Sequence, residues 1–305
     1  MKNFVVSVES TCDLGYQFIQ QNDLRCVKYQ YNIDGIVYLD DNGEDLNALS
    51  RFYKLMSDGK IPESISNDET TYYRYFKSIL EEGKNILHLT MSSGSSESYD
   101  EALKAAKRLK TEFPGRSIEV VDTLCVAGGF GLLTKYVLDY IEENDVQDLK
   151  EAAKYINNIK LKIQHIFYGP DLHYYKKRGR VGLGKALIGS LLKASCIIMC
   201  NNKGQMVIEE TIKHGKEPAF EYMLKKMGFL ADKGNAYNGK CIITHANALK
   251  EAEELKSAIK SAFPNLKTEI DVLPLDPVTA SHCGQGSIAV YFLGCERQKI
   301  GVAAE

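Results

Sequence analysis

One stretch limits the fold more than any other, Asn85 to Lys107, NILHLTMSSGSSESYDEALKAAK. Ile86, Leu87 and Leu89 form a short apolar run of the kind that fills a buried strand. Ser92, Ser93, Gly94, Ser95 and Ser96 follow, and beyond Ser98 a helical spacing sets Ala102, Leu103, Ala106 and Leu109 on one face. A strand that breaks into a serine–glycine turn and re-forms as a helix aims the helix's unpaired N–H groups at the turn. Those groups, the helix dipole and the hydroxyls make a site for an anion. An ordinary serine N-cap accounts for the same pattern with one hydroxyl. This turn offers five, counting Ser98.

The same grammar recurs along the chain. Phe4 to Val8 reads as a strand ending in the polar turn Glu9-Ser10-Thr11-Cys12-Asp13, with a helix near Leu14 to Gln21. Cys26 to Ile33 alternates as one strand, Asp34-Gly35 turns it, and Ile36 to Leu39 returns. Helices follow over Asp45 to Asp58 and Tyr72 to Glu82, joined by the polar linker Lys60 to Asn67. Ser117 to Asp122 is another buried strand and Ala127 to Glu142 another helix. Strands alternating with helices imply a mostly parallel sheet with ligands at its carboxyl ends.

At 305 residues the chain exceeds the size at which single cores stop growing, so two domains are expected, 1–160 and 161–305, with the helix of Val146 to Asn158 as the bridge. In the second half Gln164 to Tyr168, Cys196 to Cys200, Met206 to Ile208, Lys240 to Thr244, Thr268 to Leu273 and Ser287 to Phe292 read as strands. Asn202-Lys203-Gly204 reads as a hairpin turn, and Leu172 to Lys177, Lys185 to Lys193, Pro218 to Asp232 and Ala248 to Phe263 as helices. A net charge of −2 predicts neither nucleic-acid nor membrane-surface binding, and no run approaches a membrane span. The eight cysteines form no C-x-x-C pair, and most read as reduced core residues of a cytoplasmic protein. The six histidines do not pair with them at zinc-ligand spacing.

These segments resemble the DegV family across nearly the whole chain. Glu9-Ser10-Thr11-Cys12-Asp13-Leu14 is similar to the family's D-S-[ST]-x-D-L, and Ser92 to Tyr99 to its S-S-x-L-S-G-T-Y. Val120-Val121-Asp122-Thr123 matches V-x-V-x-D-[ST], and Tyr175 to Val181 with Gly189-Ser190-Leu191-Leu192 resembles L-x-x-G-G-R-[IV] and G-x-L-L. His282-Cys283-Gly284-Gln285-Gly286 is similar to H-[TC]-G-P-G.

The resemblance implies an α/β protein of two domains, the first a mostly parallel sheet with helices on both faces, the second with a mixed or antiparallel sheet. It implies one long-chain fatty acid buried between them, with no other cofactor, no metal and no catalytic residue in this chain. It further implies, as partner, the ATP-binding subunit of a bacterial fatty acid kinase that makes acyl phosphate for phospholipid metabolism. Carried over residue by residue, the carboxylate ligands are Ser93 with Ser92 and Gly94 beside it, Ser64 in Pro62-Glu63-Ser64-Ile65-Ser66, and His282, with Arg180 near the carboxylate end. The bland readings stay open: His282 as a loop histidine, and the run Lys176, Lys177, Arg178, Arg180 and Lys185 as a solvated face rather than a docking patch.

Departures from the family pattern matter too. Glu97 stands where glycine is usual and puts a carboxylate in the turn meant to receive one, while Glu9 replaces aspartate. Another anionic lipid is therefore an alternative ligand. The competing activity is a serine hydrolase of lipid or acyl esters using Ser93 with His282, although no G-x-S-x-G elbow is present. A sugar- or dihydroxyacetone-kinase-like role lacks a phosphate-binding G-x-x-x-x-G-K-[ST].

Overall fold

The structure is a computed structural model and describes residues 4–171, 174, 175, 181, 182, 194–212 and 215–298. Arg180, Lys176, Lys177, Arg178, Lys185 and the 189–192 motif lie outside the described residues.

The first half runs β1 (Phe4–Glu9), α1 (Tyr16–Gln21), β2 (Arg25–Val27), β3 (Gln30–Ile33), β4 (Ile36–Leu39), α2 (Leu46–Ser57), β5 (Glu63–Ile65) and α3 (Glu69–Glu81). It continues with β6 (Asn85–Thr90), α4 (Ser98–Glu112), β7 (Ile118–Asp122), α5 (Ala127–Glu143) and α6 (Leu149–Ile159). A four-stranded sheet of order β2-β1-β6-β7 is parallel throughout. Strand alternation decides which helices cover which face. Val5, Ile86 and Val120 face α3 and α4 through Tyr72, Phe76, Ala102 and Leu109. Val6, Leu87, Leu89 and Val121 face the opposite way, toward Ile19, Phe130 and Ile156 of α1, α5 and α6. Asp45 and Asp68 cap α2 and α3 by accepting from the backbone N–H of Asn47 and Thr71.

The second half runs β8 (Ile163–Gly169), β9 (Val181–Gly182), β10 (Ser195–Cys200), β11 (Met206–Ile212), α7 (Glu217–Leu230) and β12 (Cys241–His245). It closes with α8 (Leu249–Ala262), β13 (Asp271–Pro274), α9 (Pro277–Cys283) and β14 (Ile288–Leu293). Its sheet has the order β13-β12-β14-β8-β10-β11-β9 and is mixed, with β12–β13 and β11–β9 parallel and the other pairs antiparallel. Helices α7 and α8 cover one face through Phe220, Met223, Leu255 and Ile259.

Helix α5 covers the other face. It opens Ala-Gly-Gly-Phe-Gly, and Ala127 to Thr134 are buried on every side, while its last turns carry Lys135, Asp139, Glu142 and Glu143 to the surface. Its glycines are there for close approach rather than flexibility. A Cβ on Gly128 would strike Thr244 and Tyr291, one on Gly129 would strike the His165 ring, and one on Gly131 would reach the carbonyl of Cys12. One apolar cluster consequently runs through α5 from the parallel sheet to the mixed one.

Two expectations need correction. Cys26 to Ile33 is not one strand: β2 ends at Val27, and β3 belongs to a separate antiparallel sheet of order β4-β3-β5. The segment 60–67, expected as linker, contributes β5, because pairing with β3 satisfies its backbone.

Candidate functional site

The three sheets meet around a narrow cavity of about 90 Å³. Met91, Val126, Ala127, Phe167, Tyr175, Met206 and Val278 make its apolar wall. Thr11, Tyr29, Ser64, Ser66, Ser95, Ser96, Thr279 and His282 supply the polar one. Val126 and Ala127 sit at the start of the 17-residue α5, whose dipole favours negative charge at that end.

Ser64 lies on β5 opposite Tyr31, and its Oγ is 2.9 Å from Nε2 of His282. His282 lies on α9, which Pro277 starts and Gly284, at φ +78°, ends. That short helix is held by the first half of the chain. The Asp276 and Val278 N–H groups donate to Asp13 Oδ1 (3.1 Å) and Asp40 Oδ2 (3.3 Å), and Asn42 Nδ2 donates to Asp276 Oδ2 (3.0 Å). The Tyr53 hydroxyl donates to the Leu275 carbonyl (2.6 Å). Burial pushes the pKa of Asp13, Asp40 and Asp276 up, Asp40 to about 7, and the negative charges of Asp40 and Asp13 push Asp276 further.

The serine turn divides its work. Ser92 is fully buried, and its hydroxyl donates to the Gly204 carbonyl (2.8 Å) while accepting from the Gly94 N–H (3.1 Å). Gly94 fits against the 203–205 turn because a Cβ there would collide with the Lys203 carbonyl oxygen. Ser93 turns to solvent and donates through Oγ to Asp122 Oδ2 (2.5 Å), with its N–H on Oδ1 (3.1 Å). Ser95 and Ser96, two and three residues on, are the serines of this turn that line the cavity. Ser64 and His282 are thus brought together, whereas Ser92, Gly94 and Ser95 form the seam with the β10–β11 hairpin and Ser93 turns to Asp122 on β7. Ser93 is engaged with Asp122 and His282 with Ser64. Glu97 is exposed just before α4.

Sequence reasoning passed over Thr11, Tyr29 and the carboxyl behind them. Thr11 is buried at the cavity wall, and its Oγ1 has no hydrogen-bond partner among the described residues. Ser10 Oγ accepts from the Tyr29 N–H (3.1 Å) and so fixes that residue. Glu9, the last residue of β1, is fully buried. It accepts from the Tyr72 hydroxyl on Oε1 (2.5 Å) and from the Met91 N–H on Oε2 (2.9 Å). Burial pushes its pKa up to about 7 against the lowering pull of those bonds. The signal for these residues was their place at the carboxyl end of a parallel strand, where α/β sheets bind ligands.

This is a three-sheet α/β protein with a mostly apolar cavity at the carboxyl ends of its parallel strands, the place where α/β folds take small molecules. The sequence profile of the DegV family, a family of uncharacterised proteins, matches residues 3–294, and the chain belongs to that family. A DegV domain-containing protein of Clostridium perfringens is 27% identical over 294 residues, covering 96% of this chain and 98% of the relative. Two solved structures share the fold. A DegV lipid binding protein from Thermotoga maritima has a TM-score of 0.82 at 22% identity, over 98% of this chain and 100% of the other. A stearic acid-binding protein from Eubacterium ventriosum has a TM-score of 0.81 at 19% identity, over 95% of this chain and 98% of the other.

Proposed function

We propose that this protein binds one long-chain fatty acid in the cavity and presents its carboxylate to the ATP-binding subunit of a fatty acid kinase, performing no chemistry itself. The observation that carries the reading is the Ser64–His282 pair at the polar wall of an otherwise apolar cavity. Described lipid binding in structural neighbours supports it. Each buried methylene contributes about 0.8 kcal/mol, so the acyl tail supplies most of the gross affinity. The head group then needs hydrogen bonds, because an unpaired buried carboxylate is strongly disfavoured. Ser64 and His282 donate them, Ser95 and Ser96 stand at the same wall, and the family motif adds Arg180 as the residue for the carboxylate end. Ser92, Ser93 and Gly94 act by holding the turn in place. The protein works in the cytoplasm, and the division into domains near residue 160 sets the cavity between them. No helix among the described residues is long and apolar enough to cross a membrane.

The test is mass spectrometry of an organic extract of the purified protein. One fatty acid per chain supports the reading. An extract that stays empty after incubation with a panel of fatty acids overturns it. Turnover of a chromogenic acyl ester that is lost in Ser64→Ala would instead favour a hydrolase, since a serine hydroxyl on a histidine nitrogen is also nucleophile–base geometry.

A further inference from the structure

Glu9 is a buried carboxyl that the binding reading leaves without a role. It stands directly behind the polar wall. Met91, whose N–H it accepts, lines the cavity, as does Thr11 two residues along the chain. On its other oxygen a relay of hydroxyls leads outward: Tyr72 bonds Glu9, and the Tyr29 hydroxyl lies 3.4 Å from that of Tyr72. Tyr29 is itself a wall residue, beside Ser96.

The surroundings hold no compensating cation. From β6, His88 Nε2 approaches Glu9 Oε1 to 3.9 Å, but burial pulls its pKa down to about 3, so the ring is neutral. From α3 come Tyr72 and Tyr75, from α4 the Ser98 hydroxyl, and from the β2–β3 segment Cys26 and Tyr29. Among the described residues no Lys or Arg pairs with it. The acid that matters in the anion's environment is therefore Glu9, rather than the exposed Glu97.

The relay has two directions, because a tyrosine hydroxyl both donates and accepts. With Glu9 ionised, Tyr72 donates to Glu9 and Tyr29 donates to Tyr72, which turns lone pairs toward the cavity. With Glu9 protonated, its O–H donates to Tyr72, Tyr72 donates to Tyr29, and the Tyr29 O–H is free to point at a ligand oxygen. Two carboxylates on either side of such a wall also repel each other, which favours one proton between them.

Building on the fatty-acid reading, we propose that Glu9 sets the charge selectivity of the cavity: a carboxylate ligand is held while Glu9 carries a proton, so anion binding draws one proton from solvent onto Glu9. Burial places the pKa of Glu9 near 7, so the linkage operates around neutrality.

The test is calorimetric titration of oleate into the delipidated full-length protein, from pH 5.5 to 8.5, in phosphate and in Tris. The two buffers differ in ionisation enthalpy and so report proton uptake. Uptake per oleate is expected to rise from near zero at pH 5.5 toward one at pH 8.5, with Kd weakening up to tenfold per pH unit above 7. In Glu9→Gln the uptake vanishes and Kd becomes flat with pH. Should that variant not fold, Tyr72→Phe removes a bond that favours the ionised acid and moves the midpoint of uptake upward. Oleate binding without buffer dependence overturns the linkage alone, as does uptake that survives Glu9→Gln, which would place the proton on His282. Absence of oleate binding at every pH overturns the fatty-acid reading, and the linkage with it.

Discussion

Ser64 and His282, 218 positions apart, meet with Oγ 2.9 Å from Nε2 across the edge of a three-stranded sheet and the helix beside it. Nothing local in either segment calls for the other. The pair exists because β5 joins β3 and because Asp13, Asp40 and Asn42 hold α9 by its first turn.

Removing either member of the pair is expected to weaken fatty-acid binding. A hydrogen bond to a charged group is worth about 1.5–3 kcal/mol, a factor of roughly 10–100 in Kd. Displacement of a fluorescent fatty acid from Ser64→Ala and His282→Gln checks this, with circular dichroism to confirm the fold. Unchanged Kd in both variants would remove the pair from the binding site.

The serines of the 92–96 turn are expected to separate into two groups. Ser96→Ala, at the cavity wall, alters lipid affinity. Ser93→Ala removes the hydroxyl bond to Asp122 and changes stability by about 0.5–1.5 kcal/mol with affinity within a factor of two. The reverse ranking in the displacement assay would return the carboxylate to Ser93.

Gly94→Ala and Gly204→Ala should each destabilise the protein by about 1–3 kcal/mol through overpacking. The added Cβ would meet the Lys203 carbonyl in the first and Ser92 Oγ in the second, where the backbone φ of +71° also disfavours a side chain. Urea unfolding midpoints read the effect, and midpoints equal to wild type would show that the seam is loose.

Stability should fall as pH rises. Burial raises the folded-state pKa of Asp40 from 3.8 and of Glu9 from 4.5, both to about 7. Their contribution is therefore full below about pH 4 and lost progressively as pH climbs through 7. Asp13 and Asp276 shift in the same direction. Thermal melts at pH 5.5 and 8.5 should show the higher Tm at pH 5.5, and Asp40→Asn should narrow the gap. A higher Tm at pH 8.5 would contradict the assignment.

Much of the fold was legible because period and punctuation are local. The short apolar runs of β1, β6 and β7, each followed by a polar turn and a 3.6-period helix, specify a parallel sheet without reference to distant residues. The split between β2 and β3 was not legible. Lys28-Tyr29 continues the alternation, and only the choice of pairing partner separates the two strands.

The site divides along the same line. The sequence by itself determined the chemistry present at the carboxyl ends of the strands: Glu9 to Asp13, the serine turn, and the family motifs with Ser64 and His282. The tertiary structure alone decided which of those groups face the cavity. The serines of the turn carry the same hydroxyl, but a hydroxyl goes to whichever acceptor lies in reach. For Ser92 and Ser95 that is the Gly204 carbonyl and for Ser93 it is Asp122, brought there by the hairpin at 201–205 and the neighbouring strand. Hydrogen-bond direction is short-ranged and set by neighbours distant in the chain, so it follows packing rather than residue order.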